Sequence, residues 1–312
     1  MAKATLIYNP AAGRFPAGPL LERAKRVLSQ GGWDVGVVAT HSKNELERAA
    51  QEAVSRGDNA VFVAGGDGSV GTVASVLAGS QTALGVLPAG TANVWAQEQG
   101  LPKLDWVHWF ALESAASRLS RGTIRYADVG ECNGRRFLLW AGVGLDGAIV
   151  NKIEPRQRWE KTLATVHYAT LVLWNSIGWD GVDLKVKAPG VDVEGRFLVA
   201  VASNIRAYAG GLVELAPEAR IDDGKLDFWL LGGQSAKDVV IRLLQVWRGT
   251  HVSAPGVVHF QAAEATFYSQ EPLPMQLDGE PYKTGSPVRF RVHARALRVL
   301  VPADSAGLFS SA

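Results

Sequence analysis

Residues 60–79 read AVFVAGGDGSVGTVASVLAG. An apolar run comes first, then Gly65, Gly66 and Gly68 around Asp67, then small and apolar residues at helical spacing. A short apolar run passing through glycine into a helix is one β-to-α step of a parallel α/β sheet. Glycine lets the backbone approach another group closely or take positive φ. The N–H groups freed at such a turn suit a phosphate. Asp67 is the odd member. A carboxylate beside a phosphate repels it unless a metal ion or a hydroxyl lies between them.

The pattern extends to both sides. TLIYN (5–9), VGVVAT (35–40) and ALGVLP (83–88) read as further strands. PLLERAKRVLSQGG (19–32), SKNELERAAQEAVSRG (42–57) and SVGTVASVLAG (69–79) read as helices, and another is expected from Lys103 to Arg121. Ser42 with Glu45 three residues on is a capping box. This alternation predicts a parallel α/β domain over residues 1–122. Beyond Gly122 short strand candidates dominate, some separated by turn dipeptides such as Asn133–Gly134, with helices near 156–177 and 235–250. Residues 123–295 therefore read as a β-rich domain of sandwich type. The fold class is α/β plus all-β. Residues after Leu300 are expected to be loosely ordered.

Bulk properties narrow the function. The chain has 312 residues, long enough for two domains. A net charge of +2 gives no ground for a nucleic-acid partner. One cysteine, Cys132, excludes an internal disulfide and a cysteine-cluster metal site. MAKATLIYNPAAGR lacks the apolar core of a signal peptide, and TLATVHYATLVLW (162–174) is too short to span a bilayer. The expected location is the cytoplasm. Ten tryptophans are many for this length and suit either packing or a lipid-facing surface. The six histidines show no metal-ligand spacing.

Gly66–Gly71 also fits G-x-G-x-x-G, the dinucleotide fingerprint. The acidic residue that should follow about 20 positions on is missing, and the loop follows the third strand rather than the first. A second match at Gly142–Gly147 shows how common the pattern is. A plain structural turn is the other reading. Three strand ends, however, carry related chemistry: Asn9, Pro10, Gly13 and Arg14 after the first; Gly65, Gly66, Asp67, Gly68 and Ser69 after the third; Gly90, Thr91 and Asn93 after the fourth. In an open parallel sheet ligands bind beyond the carboxyl ends of the strands. Together these loops suit a nucleoside triphosphate with a place for Mg²⁺, to which Asp67 would belong.

With these motifs in view, the sequence resembles the diacylglycerol kinase catalytic family, especially its soluble bacterial lipid kinases. NPAAGR, GGDGS, LPAGTAN, AGVGLDGAIV, RIDDGKLD and LDGEP match its motifs in order. The resemblance implies an α/β nucleotide domain, a β-sandwich lipid domain, and ATP in the cleft between them. It implies that residues of about 296–312 pack back onto the first domain. It implies that Asn9, Gly13, Thr40, Gly66, Asp67, Gly68, Ser69 and Thr91 contact ATP. Asp223 would bind Mg²⁺ with the backbone carbonyls of Arg220 and Lys225. Asp278 or Glu280 would be the catalytic base, with Glu280 preferred, and Arg14 would neutralise charge on the γ-phosphate. The acceptor would be a lipid hydroxyl on a diacylglycerol, a sphingoid base or phosphatidylglycerol, presented at a membrane surface. Assembly is left open, a homodimer included.

The match departs from the family at three places. Ser69 replaces the signature threonine, Thr72 a glutamate and Val94 an aspartate. A degenerate member that binds nucleotide or lipid without transferring phosphate is therefore the alternative. An NAD kinase would share GGDG but leaves NPAAGR and DGE unexplained. KIEPRQRWEK (152–161), basic and Trp-containing, is the candidate membrane-facing lip, with a solvated charged face as the rival reading.

Overall fold

The structure is a computed structural model that describes residues 1–10, 17–102, 104, 108–153 and 178–309. The expected helix at 156–177, most of the 152–161 segment, and Gly13 and Arg14 lie outside the described residues. The chain divides into two units. One holds Met1–Val129, Ile221–Asp223 and Ala294–Ala312; the other holds Gly130–Arg220 and Gly224–His293.

In the first unit β1 (Ala2–Tyr8), β2 (Trp33–Ala39), β3 (Ala60–Gly65) and β4 (Ala83–Pro88) form a parallel sheet in the order β2-β1-β3-β4. Every residue of β3 and β4 is buried. A strand covered on both faces needs such an unbroken apolar run, which is why these segments do not alternate. Between the strands run α1 (Ala17–Gln30), α2 (Lys43–Ser55) and α3 (Asp67–Leu77); α4 (Val94–Glu98) and α5 (Ala111–Ser120) follow β4. The expected helix from Lys103 begins only at Ala111, after a turn at Trp109–Phe110.

The second unit opens with the end of β5 (Thr123–Cys132), which turns at Asn133 and Gly134, both at positive φ, into β6 (Arg135–Phe137). It continues through β7 (Trp140–Gly144), α6 (Leu145–Ile153), β8 (Val182–Ala188) and β9 (Val191–Ser203). A two-stranded pair, β10 (Ala207–Tyr208) and β11 (Val213–Glu214), precedes β12 (Leu226–Gly232) and α7 (Ala236–Trp247). The last strands are β13 (Val257–Ala262), β14 (Glu264–Tyr268), β15 (Met275–Leu277), β16 (Glu280–Tyr282) and β17 (Val288–Val301). The pairings within this unit are antiparallel. β9 pairs β8 through its first half and both β7 and β12 through its second. Phe197, Phe228, Phe267, Phe290, Met275 and Leu277 lie in the apolar core of this sandwich.

The described residues from Leu300 to Phe309 pack against the first unit, contrary to the expectation of a loose end. β17 runs to Val301, Val299 pairs with Leu84 of β4, and Leu308 and Phe309 are buried. The N–H of Ile221 donates to the Leu308 carbonyl at 3.2 Å. Apolar residues placed late in the chain complete the first unit, which the local sequence does not announce.

Candidate active site

The parallel register aligns the strand ends. Tyr8 is level with Ala39 and Ala64, and Gly65 with Pro88. Asn9, Thr40, Gly65–Ser69 and the loop after Pro88 therefore share one sheet edge, beyond the carboxyl ends of the strands. The two glycine loops touch. A Cβ added to Gly90 would lie 2.3 Å from the Gly66 Cα, so only glycine permits this backbone approach. α3 starts at this contact, with Gly66 as its N-cap, and its first-turn N–H groups make this end electropositive.

Several expected ligand contacts turn inward instead. Asn93 is buried at φ 56°. Its Oδ1 accepts from the Gly90 N–H at 2.8 Å and its Nδ2 donates to the Gly90 carbonyl at 2.9 Å. The Thr40 hydroxyl donates to the Tyr8 carbonyl at 3.2 Å. Asp67 Oδ1 accepts from the Trp95 N–H at 3.1 Å, in the first turn of α4. The aspartate thus ties the second glycine loop to the third. Burial around the Asp67 carboxyl pushes its pKa up, although the residue keeps a partly exposed edge. The backbone N–H groups of Val94, Trp95 and Asn93 oppose that rise. Thr91, Ser69 and Gly66 keep partial exposure and Gly68 is exposed.

In the second unit Asp278 (φ 51°) and Gly279 (φ 81°) form the two-residue turn joining β15 to β16. Both oxygens of Asp278 accept backbone N–H groups: Leu138 at 2.7 Å, Leu139 at 2.8 Å and Trp140 at 3.2 Å. Its carboxylate holds the break between β6 and β7. Glu280 instead pairs with Arg135, whose guanidinium also lies 5.5 Å from the centre of the Tyr282 ring. The turn is braced from below. Gln276 Oε1 accepts from the Gly279 N–H at 2.7 Å, and its Nε2 donates to Asp146 Oδ2 at 2.7 Å. A Cβ on Gly142 would lie 1.9 Å from that Asp146 oxygen, so the glycine makes room for the brace.

RIDDGKLD bends at Gly224 (φ 73°). The Ile221 carbonyl accepts from the Asp128 N–H at 2.6 Å, and the Asp222 carbonyl from Arg295 Nε at 3.3 Å. Among the described residues, no three His, Cys, Asp or Glu side chains converge as a metal-binding group. Cys132 is buried, and burial pushes its thiol pKa to about 12.

Comparison with known proteins decides the family. Residues 3–132 match the model of the diacylglycerol kinase catalytic domain, and residues 140–301 that of the YegS C-terminal NAD kinase β-sandwich-like domain. A probable YegS-like lipid kinase of Pseudomonas aeruginosa is 32% identical over 279 residues, covering 88% of this chain and 87% of that protein. The chain belongs to the diacylglycerol kinase family. A diacylglycerol kinase of Bacillus subtilis is 26% identical over 98% of both chains. A putative diacylglycerol kinase of Bacillus anthracis shares the fold, with a TM-score of 0.81 at 20% identity over 96% of this chain and 97% of that one. The chain is thus a lipid kinase in the general sense, and diacylglycerol kinase family membership implies ATP as the phosphoryl donor. No helix among the described residues is long and apolar enough to cross a membrane.

Within this diacylglycerol kinase family fold the residues that stand in place of the two carboxylates have structural uses. The Thr72 hydroxyl donates to the Gly68 carbonyl at 2.8 Å, and Val94 is buried. Sequence reading missed Asp128, Asp146, Gln276 and Arg135. Asp128 is fully buried in the first unit, and its Oδ1 accepts from the Arg295 N–H at 2.6 Å. A buried carboxylate in a strand has no local signature. Arg135 directly follows a legible hairpin turn, and only the fold reveals its partner.

Proposed function

We propose that the chain transfers the γ-phosphoryl group of ATP to a hydroxyl of a membrane lipid of the diacylglycerol, sphingoid or phosphatidylglycerol class. The observation that carries this reading is the contact of Gly66 with Gly90 at the carboxyl edge of adjacent parallel strands. It stacks two glycine loops beside the start of α3, where backbone N–H groups can hold phosphate oxygens. Asn9, Pro10, Gly65, Gly66, Gly68, Ser69 and Thr91 are the residues proposed to face the nucleotide, joined by Gly13 and Arg14. Thr40, Asp67 and Asn93 act by shaping the loops. Their side chains already bond to the backbone.

Glu280 is the proposed base, because the oxygens of Asp278 are engaged by three N–H groups. Glu280 is partly exposed and is oriented by its ion pair with Arg135, so its carboxylate keeps an edge that an acceptor hydroxyl can reach. Mg²⁺, if bound at RIDDGKLD, would be held by the Asp223 carboxylate and the carbonyls of Arg220 and Lys225, an all-oxygen set suited to a hard cation. When bound, such a cation supplies charge neutralisation for phosphate oxygens.

The test is transfer of label from γ-labelled ATP into a mixed lipid extract, with Asp67→Ala alongside the wild type and ATP binding measured separately. A labelled lipid made by the wild type and reduced at least tenfold in the variant is expected. ATP binding without any labelled lipid would favour the degenerate, non-transferring alternative.

A further inference from the structure

α7 is amphipathic in an unusual way. Val239 and Val246 are buried, while Val240, Ile241, Leu243 and Leu244 are each between 38% and 43% exposed and Trp247 is 69% exposed. At about 100° per residue, Leu243, Trp247, Val240, Leu244 and Ile241 follow one another around an arc of about 160°. The helix therefore packs on its own unit through one narrow stripe and turns a wider apolar face outward. Val252, in the short 3₁₀ turn after the helix, adds another exposed apolar side chain. Five neighbouring apolar residues on one surface helix exceed the single exposed side chains that need no explanation.

The charges on that face have one sign. Lys237 and Arg248 are exposed and fall within the same arc, one at each end of the helix. The only acid on α7, Asp238, is engaged at its start, where Oδ2 accepts from the Gln234 N–H at 3.1 Å and the Ser235 hydroxyl at 2.7 Å. Apolar side chains with a terminal tryptophan and flanking cations match the interfacial zone of an anionic bilayer. Tryptophan and leucine enter the acyl boundary there, and lysine and arginine meet the headgroups. The same face suits a second copy poorly. A twofold antiparallel pairing of α7 would set Lys237 of one chain towards Arg248 of the other, with no acid on the face to offset them.

We infer that the outer face of α7, formed by Val240, Ile241, Leu243, Leu244 and Trp247 between Lys237 and Arg248, docks the protein on an anionic lipid surface. The choice of a bilayer as occupant rests on the lipid-acceptor reading above. The surface is distinct from the 152–161 segment named from sequence.

The experiment is co-sedimentation of the full chain, without ATP, with phosphatidylcholine vesicles and with mixed phosphatidylglycerol–phosphatidylcholine vesicles. Two variants accompany the wild type: Leu244→Glu with Trp247→Glu, and Lys237→Gln with Arg248→Gln. The wild type should prefer the mixed vesicles. The apolar pair should weaken binding more than tenfold to either vesicle. The basic pair should weaken binding to the mixed vesicles by roughly fivefold per residue and leave binding to phosphatidylcholine unchanged. Melting temperatures should match the wild type, since the replaced side chains leave the packed stripe intact. Unchanged vesicle binding by both variants would overturn the inference. A wild-type dimer in sedimentation equilibrium that the apolar pair dissociates would give the face to a second copy. A lowered melting temperature with unchanged vesicle binding would mean that another segment of this chain covers it. Binding is read without phosphoryl transfer, so a chain that labels no lipid can still pass or fail this test.

Discussion

Asp278 and Glu280 stand two residues apart, and both are carboxylates, yet their surroundings separate them. Asp278 sits at positive φ and gathers three backbone N–H groups. Glu280 is partly exposed and pairs with the Arg135 guanidinium. Replacing Asp278 with alanine should cost about 1–3 kcal/mol of stability, because it strands N–H groups at the strand break. Replacing Glu280 with glutamine should leave stability within about 1 kcal/mol, since an exposed ion pair contributes little. It should lower kcat by about 10²- to 10⁴-fold with little change in KM for ATP. Urea denaturation and steady-state kinetics on both variants check this. A stable Asp278→Ala protein with no activity would exchange the two roles. The motif LDGEP was legible in the sequence, and so was its candidacy for proton transfer. The division of labour was not, because it depends on Leu138–Trp140, which lie about 140 residues earlier in the chain.

The elements show the same split between local and distant causes. α2 begins where Ser42 and Glu45 said it would: Ser42 Oγ accepts from the Glu45 N–H at 3.2 Å, and Glu45 Oε2 accepts from the His41 N–H at 2.9 Å. The return bond reaches one residue further out than the usual box, to His41 rather than Ser42. β3 and β4 were legible from their apolar runs, and the Asn133–Gly134 turn from its dipeptide. α6 was missed because Gly144 and Gly147 interrupt its opening, and the start of α5 was misplaced because no cap residue marks it. The α2 cap makes a pH prediction. The His41 N–H, and after it Ser42, hold the Glu45 carboxyl below its usual range. A depressed folded pKa means stability that is present above the unfolded value of about 4.3 and lost as pH falls through the folded one. The wild type should therefore exceed Glu45→Gln in stability at neutral pH, and the gap should close on acidification below about pH 4. Thermal unfolding of both proteins across that range tests it. A gap that persists at low pH would mean that the carboxylate does not carry the cap.

At the scale of the whole molecule, the chain passes between its two units four times, at 129/130, 220/221, 223/224 and 293/294. Neither unit is a continuous segment, so the first cannot be completed by its own N-terminal stretch. The missing part is the end of the chain. Leu297, Val299, Leu300, Val301, Leu308 and Phe309 are buried. The Ala296 carbonyl accepts from the Gly79 N–H at 2.7 Å, the Ser305 hydroxyl donates to the Gln99 carbonyl at 2.8 Å, and Arg118 pairs with Asp304 at 2.7 Å. Six buried apolar side chains at about 1.5–3 kcal/mol each are comparable to the whole stability of a domain, about 5–15 kcal/mol. A chain ending at His293 should therefore lose the fold of its first unit. The second unit keeps its core, since Phe197, Phe228, Phe267 and Phe290 all precede the cut. Limited proteolysis should then degrade residues 1–129 while a fragment covering 130–293 persists, and ATP should no longer raise the melting temperature. A truncated chain that resists proteolysis throughout and still binds ATP would show that strands β1–β4 with α1–α3 suffice. In that case the C-terminal residues would be covering the unit without being part of its core.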